Sequence, residues 1–311
     1  MSNLKNIVFA FDGQGSQNIG LGVELINEYS IVKDTFDEAS DILNKDVASM
    51  CLNEDFLYDT ELAQIYITTL DVALYRLIKS YGIIPNYTCG FSLGEYVSLV
   101  CADVISFEDM LHIVSMRGRL MKKYTKGIWN MLSVIGLREE QIKTVVLKYP
   151  NTYITNINTM FNNVIVTKKD NKDKIVQLLK ECGAKKINEL KASIPFHTPE
   201  LTSMCGEYEE YLKSFQYGNP KIPVFKNIDS NFYESKDKVV NSLVMHNIKP
   251  VQFKAILEKV STLKDVTWVE IGYSDMLGKM AKHTCKDIKL YNTLSKENID
   301  LMRNEIIGEY V

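Results

Sequence analysis

Uninterrupted apolar runs and helical spacing alternate along most of this chain. Ile7–Phe11 is apolar throughout and runs into Asp12-Gly13-Gln14-Gly15-Ser16-Gln17, which predicts a buried parallel strand feeding a glycine-rich loop. Helical stretches are expected over 20–29 and 30–43. Ala63–Ile78 has no breaker and carries apolar residues on most faces, so it predicts a largely buried helix. A further helix is expected over Phe107–Lys123, with Ser106 as N-cap and Glu108 and Asp109 in its first turn.

Past Lys126 the rhythm changes. A strand over 131–137 precedes a helix over 139–149 that Pro150 stops. Strands follow over 152–158 and 163–167, then a helix over 173–182 ended by Gly183, then a strand over 186–192. The order β-α-β-β-α-β is that of a ferredoxin-like unit. It is expected as a small subdomain over 127–192, inserted into a larger α/β body formed by 1–126 and 193–311. That body resumes with a helix over 199–215, a strand at 224–225, helices over 238–246 and 253–260, a strand over 267–271 and a helix over 274–283. There is no internal repeat or low-complexity segment.

Composition narrows the function classes. The 311 residues are 46% hydrophobic and 24% charged, as in a globular protein, and the net charge of −3 speaks against nucleic-acid binding. No apolar run approaches the ~20 residues of a membrane span, and residues 1–11 lack a signal-peptide layout. The six cysteines include no C-x-x-C pair, so reduced thiols in a cytoplasmic enzyme are expected, without a metal or other cofactor.

Candidate chemistry centres on Gly90-Phe91-Ser92-Leu93-Gly94, followed by the helical stretch Glu95–Val100. This is the setting of a nucleophile elbow, a serine on a tight strand-to-helix turn whose free amides can stabilise an oxyanion. A serine nucleophile needs a base, and the chain has only four histidines. His197, between Pro195 and Pro199, is best placed to enter a cleft. His112 lies inside a helical stretch and His283 near a helix end, and a lone histidine is commonly just a packed side chain.

Four motifs in register carry a resemblance over essentially the whole chain, from Val8 to about His283. They are Gly13-Gln14-Gly15-Ser16-Gln17, Gly90-Phe91-Ser92-Leu93-Gly94-Glu95-Tyr96, Met116-Arg117-Gly118-Arg119-Leu120-Met121 and Pro195-Phe196-His197. The chain resembles malonyl-CoA:acyl carrier protein transacylases, including the stand-alone acyltransferases that serve polyketide synthases. The resemblance implies an α/β fold: an α/β-hydrolase-like body with a parallel sheet, plus the inserted ferredoxin-like subdomain. It implies Ser92 as nucleophile and His197 as base, with the histidine oriented by a backbone carbonyl, that of His246. Since a carbonyl is neutral, His197 is expected to keep an ordinary imidazole pKa. The oxyanion hole would be the amides of Gln14 and Leu93.

Arg117 would bind the malonyl carboxylate through a planar fork of two parallel hydrogen bonds; as an alternative it caps a neighbouring loop. Gln64 matches a family glutamine near the acyl group, though a helix residue bonded to backbone fits equally. Asn156, Asn158 and Phe196 fall near the implied pocket, and asparagine in short strands is also ordinary turn chemistry.

Three departures stand out. Phe91 replaces the usual histidine before the nucleophile, making a drier pocket floor. The run Asn156-Ile157-Asn158-Thr159-Met160-Phe161-Asn162-Asn163 replaces Asn-x-Asn-Ser-Pro-x-Gln, and Gly127-Ile128-Trp129-Asn130-Met131 replaces Gly-Ala-Met-Ala. Trp129 and Phe161 are therefore expected to add bulk near the insert, which covers the cleft, and so to specialise the acyl or carrier side. The implied partners are malonyl-CoA and an acyl carrier protein, in fatty-acid or polyketide biosynthesis, with the enzyme a monomer. Carrier proteins are acidic, so Lys168, Lys169, Lys172 and Lys174, with Lys122, Lys123 and Lys126, form a candidate docking face or simply a solvated surface. Competing readings are an acyl-thioester hydrolase and a non-catalytic carrier-binding scaffold.

Overall fold

The period-2 alternation of β1 (Asn6–Phe11) sorts its apolar run onto two faces, both covered. Ile7, Phe9 and Phe11 enter one core, while Val8 and Ala10 enter another. Such a strand belongs in the middle of a sheet, and there it lies. The computed structural model describes residues 6–15 and 17–308, so Ser16 of the glycine-rich loop lies outside the described residues.

The remaining strands are β2 (Tyr87–Gly90), β3 (Trp129–Ile135), β4 (Thr152–Thr159), β5 (Asn162–Lys168), β6 (Lys186–Leu190), β7 (Val224–Phe225), β8 (Val266–Ile271) and β9 (Ile288–Asn292). One sheet has the order β7-β2-β1-β8-β9 and is parallel at every pairing. The other has the order β4-β5-β3-β6 and is antiparallel. The antiparallel sheet packs one face on its two helices through Leu132, Val134, Ile165, Ile175 and Leu179. Its other face, with Trp129, Met131, Val164 and Val166, turns toward Phe196 of the larger body. Each fully buried side chain of this kind contributes about 1.5–3 kcal/mol.

Helix Thr60–Ser80 is buried along nearly its whole length, as its apolar composition requires. Asp59 caps it, accepting the N–H groups of Glu61 and Leu62 at 2.9 and 3.2 Å. Ser106 caps helix Phe107–Tyr124 in the same way through the Asp109 N–H.

Several boundaries differ from the sequence reading. The first helix starts at Val23, because Gly20 and Gly22 take the left-handed backbone at φ 79° and 73°. The stretch 199–215 opens as a 3-10 turn, Pro199–Met204, with the Thr202 hydroxyl folded back on the Pro199 carbonyl; α-helix covers only Cys205–Leu212. The helix expected from residue 274 begins at Met276, since the Asp12 carboxylate holds the N–H groups of Tyr273 and Ser274 in a non-helical turn. Strand β9 and helix Lys296–Gly308 were not foreseen at all.

Candidate active site

The loop after β1 and the elbow after β2 meet at the carboxyl ends of neighbouring parallel strands, where open α/β sheets form their crevices. The elbow is tight enough to dictate its glycines. A Cβ on Gly90 would lie 1.9 Å from the backbone of Gly94, and one on Gly94 would lie 2.3 Å from the Phe11 carbonyl oxygen. Between them Ser92 sits at φ 52°, a left-handed conformation that its surroundings must enforce.

Ser92 Oγ lies 2.6 Å from His197 Nε2, and His197 Nδ1 lies 2.7 Å from the His246 carbonyl oxygen. A carbonyl can only accept, so Nδ1 carries the proton and Nε2 offers its lone pair to the serine hydroxyl. His197 also has a positive φ, 58°. Strained backbone thus occurs at both members of the pair.

The expectation of an ordinary imidazole is overturned. Burial, with a further push from the positive charge of Arg117, takes the His197 pKa down to about 3. The carbonyl partner opposes this shift without offsetting it.

Arg117 is only 2% exposed and is held from two sides. Its Nε donates to Asn247 Oδ1 at 2.8 Å and its Nη1 to Gln64 Oε1 at 2.9 Å, while the guanidinium lies over the Tyr96 ring. Nη2 is buried with no hydrogen-bond partner among the described residues. The side-on fork through Nε is therefore occupied, and a carboxylate must approach from the Nη1–Nη2 end. Gln64 bonds side chains, not backbone: besides Arg117 it donates to Thr60 Oγ1 at 2.9 Å. It stands behind Arg117, outside the cleft wall.

The cleft has a volume of about 130 Å³. Gln14, Leu93, Ser92, His197 and Arg117 line one side of it, with Phe91 and Phe196. Across from them Met131, Val164, Leu190 and Ala192 come from the antiparallel unit. Asn156 and Asn158 also line it, and the Asn158 side-chain oxygen is buried without a partner among the described residues. Trp129 and Phe161 do not reach it. Trp129 is packed in the sheet face with Nε1 donating to the Lys126 carbonyl, and Phe161 sits exposed at the β4–β5 turn beneath Arg138.

The candidate basic face is partly neutralised. Lys122 pairs with Asp59, Lys123 with Glu207 and Lys172 with Glu189.

Across the full length, the acyl transferase domain family matches residues 8–310. The chain belongs to that family. It is 30% identical over 305 residues to the malonyl CoA-acyl carrier protein transacylase of Bacillus subtilis, covering 96% of each chain. Among solved structures it is similar to a malonyl-transacylase in complex with a type II polyketide synthase acyl-carrier protein, with TM-score 0.91, 27% identity, and 97% and 100% of the two chains covered. FabD from Acinetobacter baumannii gives TM-score 0.91 at 27% identity, with 98% and 99% covered. No helix among the described residues is long and apolar enough to cross a membrane.

Three residues of this acyltransferase site were missed by sequence reasoning. Asn247 braces Arg117. Asn227 bonds the elbow: its Oδ1 accepts the Ser92 N–H and its Nδ2 donates to the Gly90 carbonyl. Glu95 is fully buried, accepts the Asn227 N–H at 2.9 Å and the Tyr233 hydroxyl, and lies 3.8 Å from His246 Nε2. Burial pushes its carboxyl up to about 7. Glu95 falls inside the elbow motif, so its polarity within an apolar helix was the available signal.

Proposed function

We propose that this chain moves a malonyl group from malonyl-CoA, through an ester on Ser92, to the phosphopantetheine thiol of an acyl carrier protein. The observation that carries the reading is the unpartnered Nη2 of Arg117 in the same cleft as the Ser92–His197 pair. A buried cationic N–H without an acceptor is costly, and a substrate carboxylate supplies the acceptor. An acyl-thioester hydrolase for neutral chains would leave it unmatched.

In this mechanism the Ser92 hydroxyl attacks the thioester carbonyl as its proton passes to His197 Nε2, and the oxyanion is held by the amides of Gln14 and Leu93. Collapse breaks the C–S bond, and His197 returns the proton to the departing CoA thiolate. In deacylation His197 takes the proton of the attacking carrier thiol, the C–O bond to Ser92 breaks, and His197 returns the proton to Ser92 Oγ. Because Arg117 depresses the base, a bound malonyl carboxylate that neutralises it makes His197 more basic when substrate is in place. The antiparallel unit serves as a ferredoxin-like insert over 127–192 that walls the cleft, set on an α/β-hydrolase-like body. A lysine face including Lys168, Lys169 and Lys174 is the proposed approach for the acidic carrier.

The test is intact-mass analysis after mixing with malonyl-CoA. Wild type is expected to gain one malonyl group that Ser92→Ala lacks, and transfer to a holo carrier protein is expected to discharge it. An adduct persisting on Ser92→Ala places the nucleophile elsewhere.

A further inference from the structure

Thr60 joins the two ends of the site. Its hydroxyl donates to Gln14 Oε1 at 3.0 Å and accepts from Gln64 Nε2 at 2.9 Å, while Gln64 Oε1 accepts from Arg117 Nη1 at 2.9 Å. Every donor in this series points the same way, from the guanidinium toward Gln14. Thr60 and Gln64 are 2% and 0% exposed, so water does not compete for the bonds that Gln64 makes, while Gln14 is half-buried at the cleft. In a buried chain of this kind each bond polarises the next, and loss of one member leaves the others unsatisfied.

We propose that Thr60 is a positioning residue that couples the acyl-group clamp to the oxyanion loop. The proposal rests on the malonyl-transfer reading for the roles of Arg117 and Gln14. Thr60 touches no reacting atom; it acts through Gln14 on one side and through Gln64 on the other. The sequence needs a hydroxyl here because one small group must donate and accept at once. Thr60 is also firmly placed, as the first residue of helix Thr60–Ser80, behind the Asp59 cap. Asp59 is itself tied to Lys122 at 2.5 Å, so the start of that helix is braced against helix Phe107–Tyr124, which carries Arg117.

The relay makes two separable contributions. By fixing the Gln14 side chain it holds the backbone that presents the oxyanion amide, which matters for any acyl group. By fixing Gln64 it holds Arg117 end-on to the cleft, which matters only for an acyl group with a carboxylate. An oxyanion donor is worth roughly 100- to 1,000-fold in rate, and displacing one by an ångström forfeits much of that.

The experiment compares wild type, Thr60→Val and Thr60→Ser in single-turnover acylation of Ser92 by malonyl-CoA and by acetyl-CoA, read by intact mass. Thr60→Val keeps the volume and removes the hydroxyl. It is expected to slow acylation by both thioesters about 10- to 100-fold and to lower the malonyl-over-acetyl preference by roughly a further tenfold. Thr60→Ser keeps the hydroxyl and is expected to stay within about threefold of wild type. The opposite order, Ser impaired and Val normal, assigns Thr60 to packing and overturns the proposal. Equal loss on both substrates with the preference intact overturns the coupling to Arg117. If Thr60→Val is not recovered folded, Thr60→Ala carries the same comparison. If wild type takes acetyl but no malonyl group, the malonyl reading fails, while the acetyl arm still decides whether the hydroxyl holds the oxyanion loop.

Discussion

Asn227 holds Ser92 from behind, accepting its backbone N–H at 2.9 Å and donating to the Gly90 carbonyl at 2.7 Å. One amide thereby spans the elbow on both sides of Phe91. A left-handed non-glycine residue costs of order 1–3 kcal/mol, so the surrounding structure must hold it in place. Asn227→Ala is expected to reduce Ser92 acylation about 10- to 100-fold with a modest fall in melting temperature. Single-turnover mass analysis checks it. A variant that melts lower yet acylates at the wild-type rate would show that the contact stabilises the fold without orienting the nucleophile.

Arg117→Ala is expected to invert acyl preference. Leaving the malonyl carboxylate buried without its partner costs about 3–5 kcal/mol, a loss of roughly a hundred- to a few thousand-fold in malonyl-CoA turnover. The emptied site beside Phe91 should accept acetyl-CoA better than before. The measurement is kcat/KM for both thioesters with a carrier protein as acceptor. Equal losses on both would make the arginine structural.

The same substitution moves the pH profile. His197 is depressed by burial and by Arg117, to about 3, so the wild-type base stays unprotonated down through pH 5. Removing the positive charge removes one lowering cause, and the pKa rises toward the ordinary value near 6.5. Inactivation of Ser92 by phenylmethylsulfonyl fluoride, a neutral probe, reads this directly. Its acid limb is expected at higher pH in Arg117→Ala than in wild type. An acid limb that stays in place would mean that Arg117 does not act on the base.

A buried carboxyl pair lies beneath the oxyanion loop. Burial, and then the neighbouring Asp12, raise Glu270 from 4.5 to about 9. Between these values the folded chain keeps a proton that the unfolded chain has released, so stability falls as pH rises through that window. Glu270→Gln removes the titrating proton, though its NH2 must give up the Leu277 or Gly278 N–H that Glu270 accepts, and it is expected to flatten the decline in melting temperature between pH 6 and 9. An unchanged slope would mean that the carboxyl is ionised in the fold.

Legibility followed the physics of each signal. The elbow, β1 and the helix expected over Ala63–Ile78 were readable because glycine spacing, an unbroken apolar run and a breaker-free stretch are local features. The dyad was readable because few histidines compete. The bracing side chains were not: Asn227 is 135 residues from Ser92, and Asn247 is 130 from Arg117. Nothing local distinguishes an asparagine that crosses the molecule from one that closes a turn. The His197 pKa was misjudged for a related reason. Its hydrogen-bond partner was inferred correctly, whereas burial and a nearby guanidinium are properties of the assembled cleft. Strand β9 escaped because its alternation is short and its Lys289 and Asn292 dilute the apolar signal.

Main-chain bonds also join the two parts of the molecule. Ile157 N–H donates to the Val251 carbonyl at 2.8 Å and Val251 N–H to the Thr155 carbonyl at 2.9 Å, so β4 is stitched to the segment leading away from His246. The antiparallel sheet is therefore no free lid hanging on two linkers, and the gap between Ser92 and the opposite wall has a set width. Acyl groups are gauged by a fixed caliper whose jaws differ in kind. One jaw carries Ser92, His197 and Arg117, to which the proposed mechanism gives the chemistry; the other carries the apolar Met131, Val164 and Leu190. Mutations in the second jaw can retune which chains fit while the first stays untouched. Since the stitch is backbone to backbone, side-chain drift leaves it intact, and only a residue without an N–H at 251 would undo its second bond.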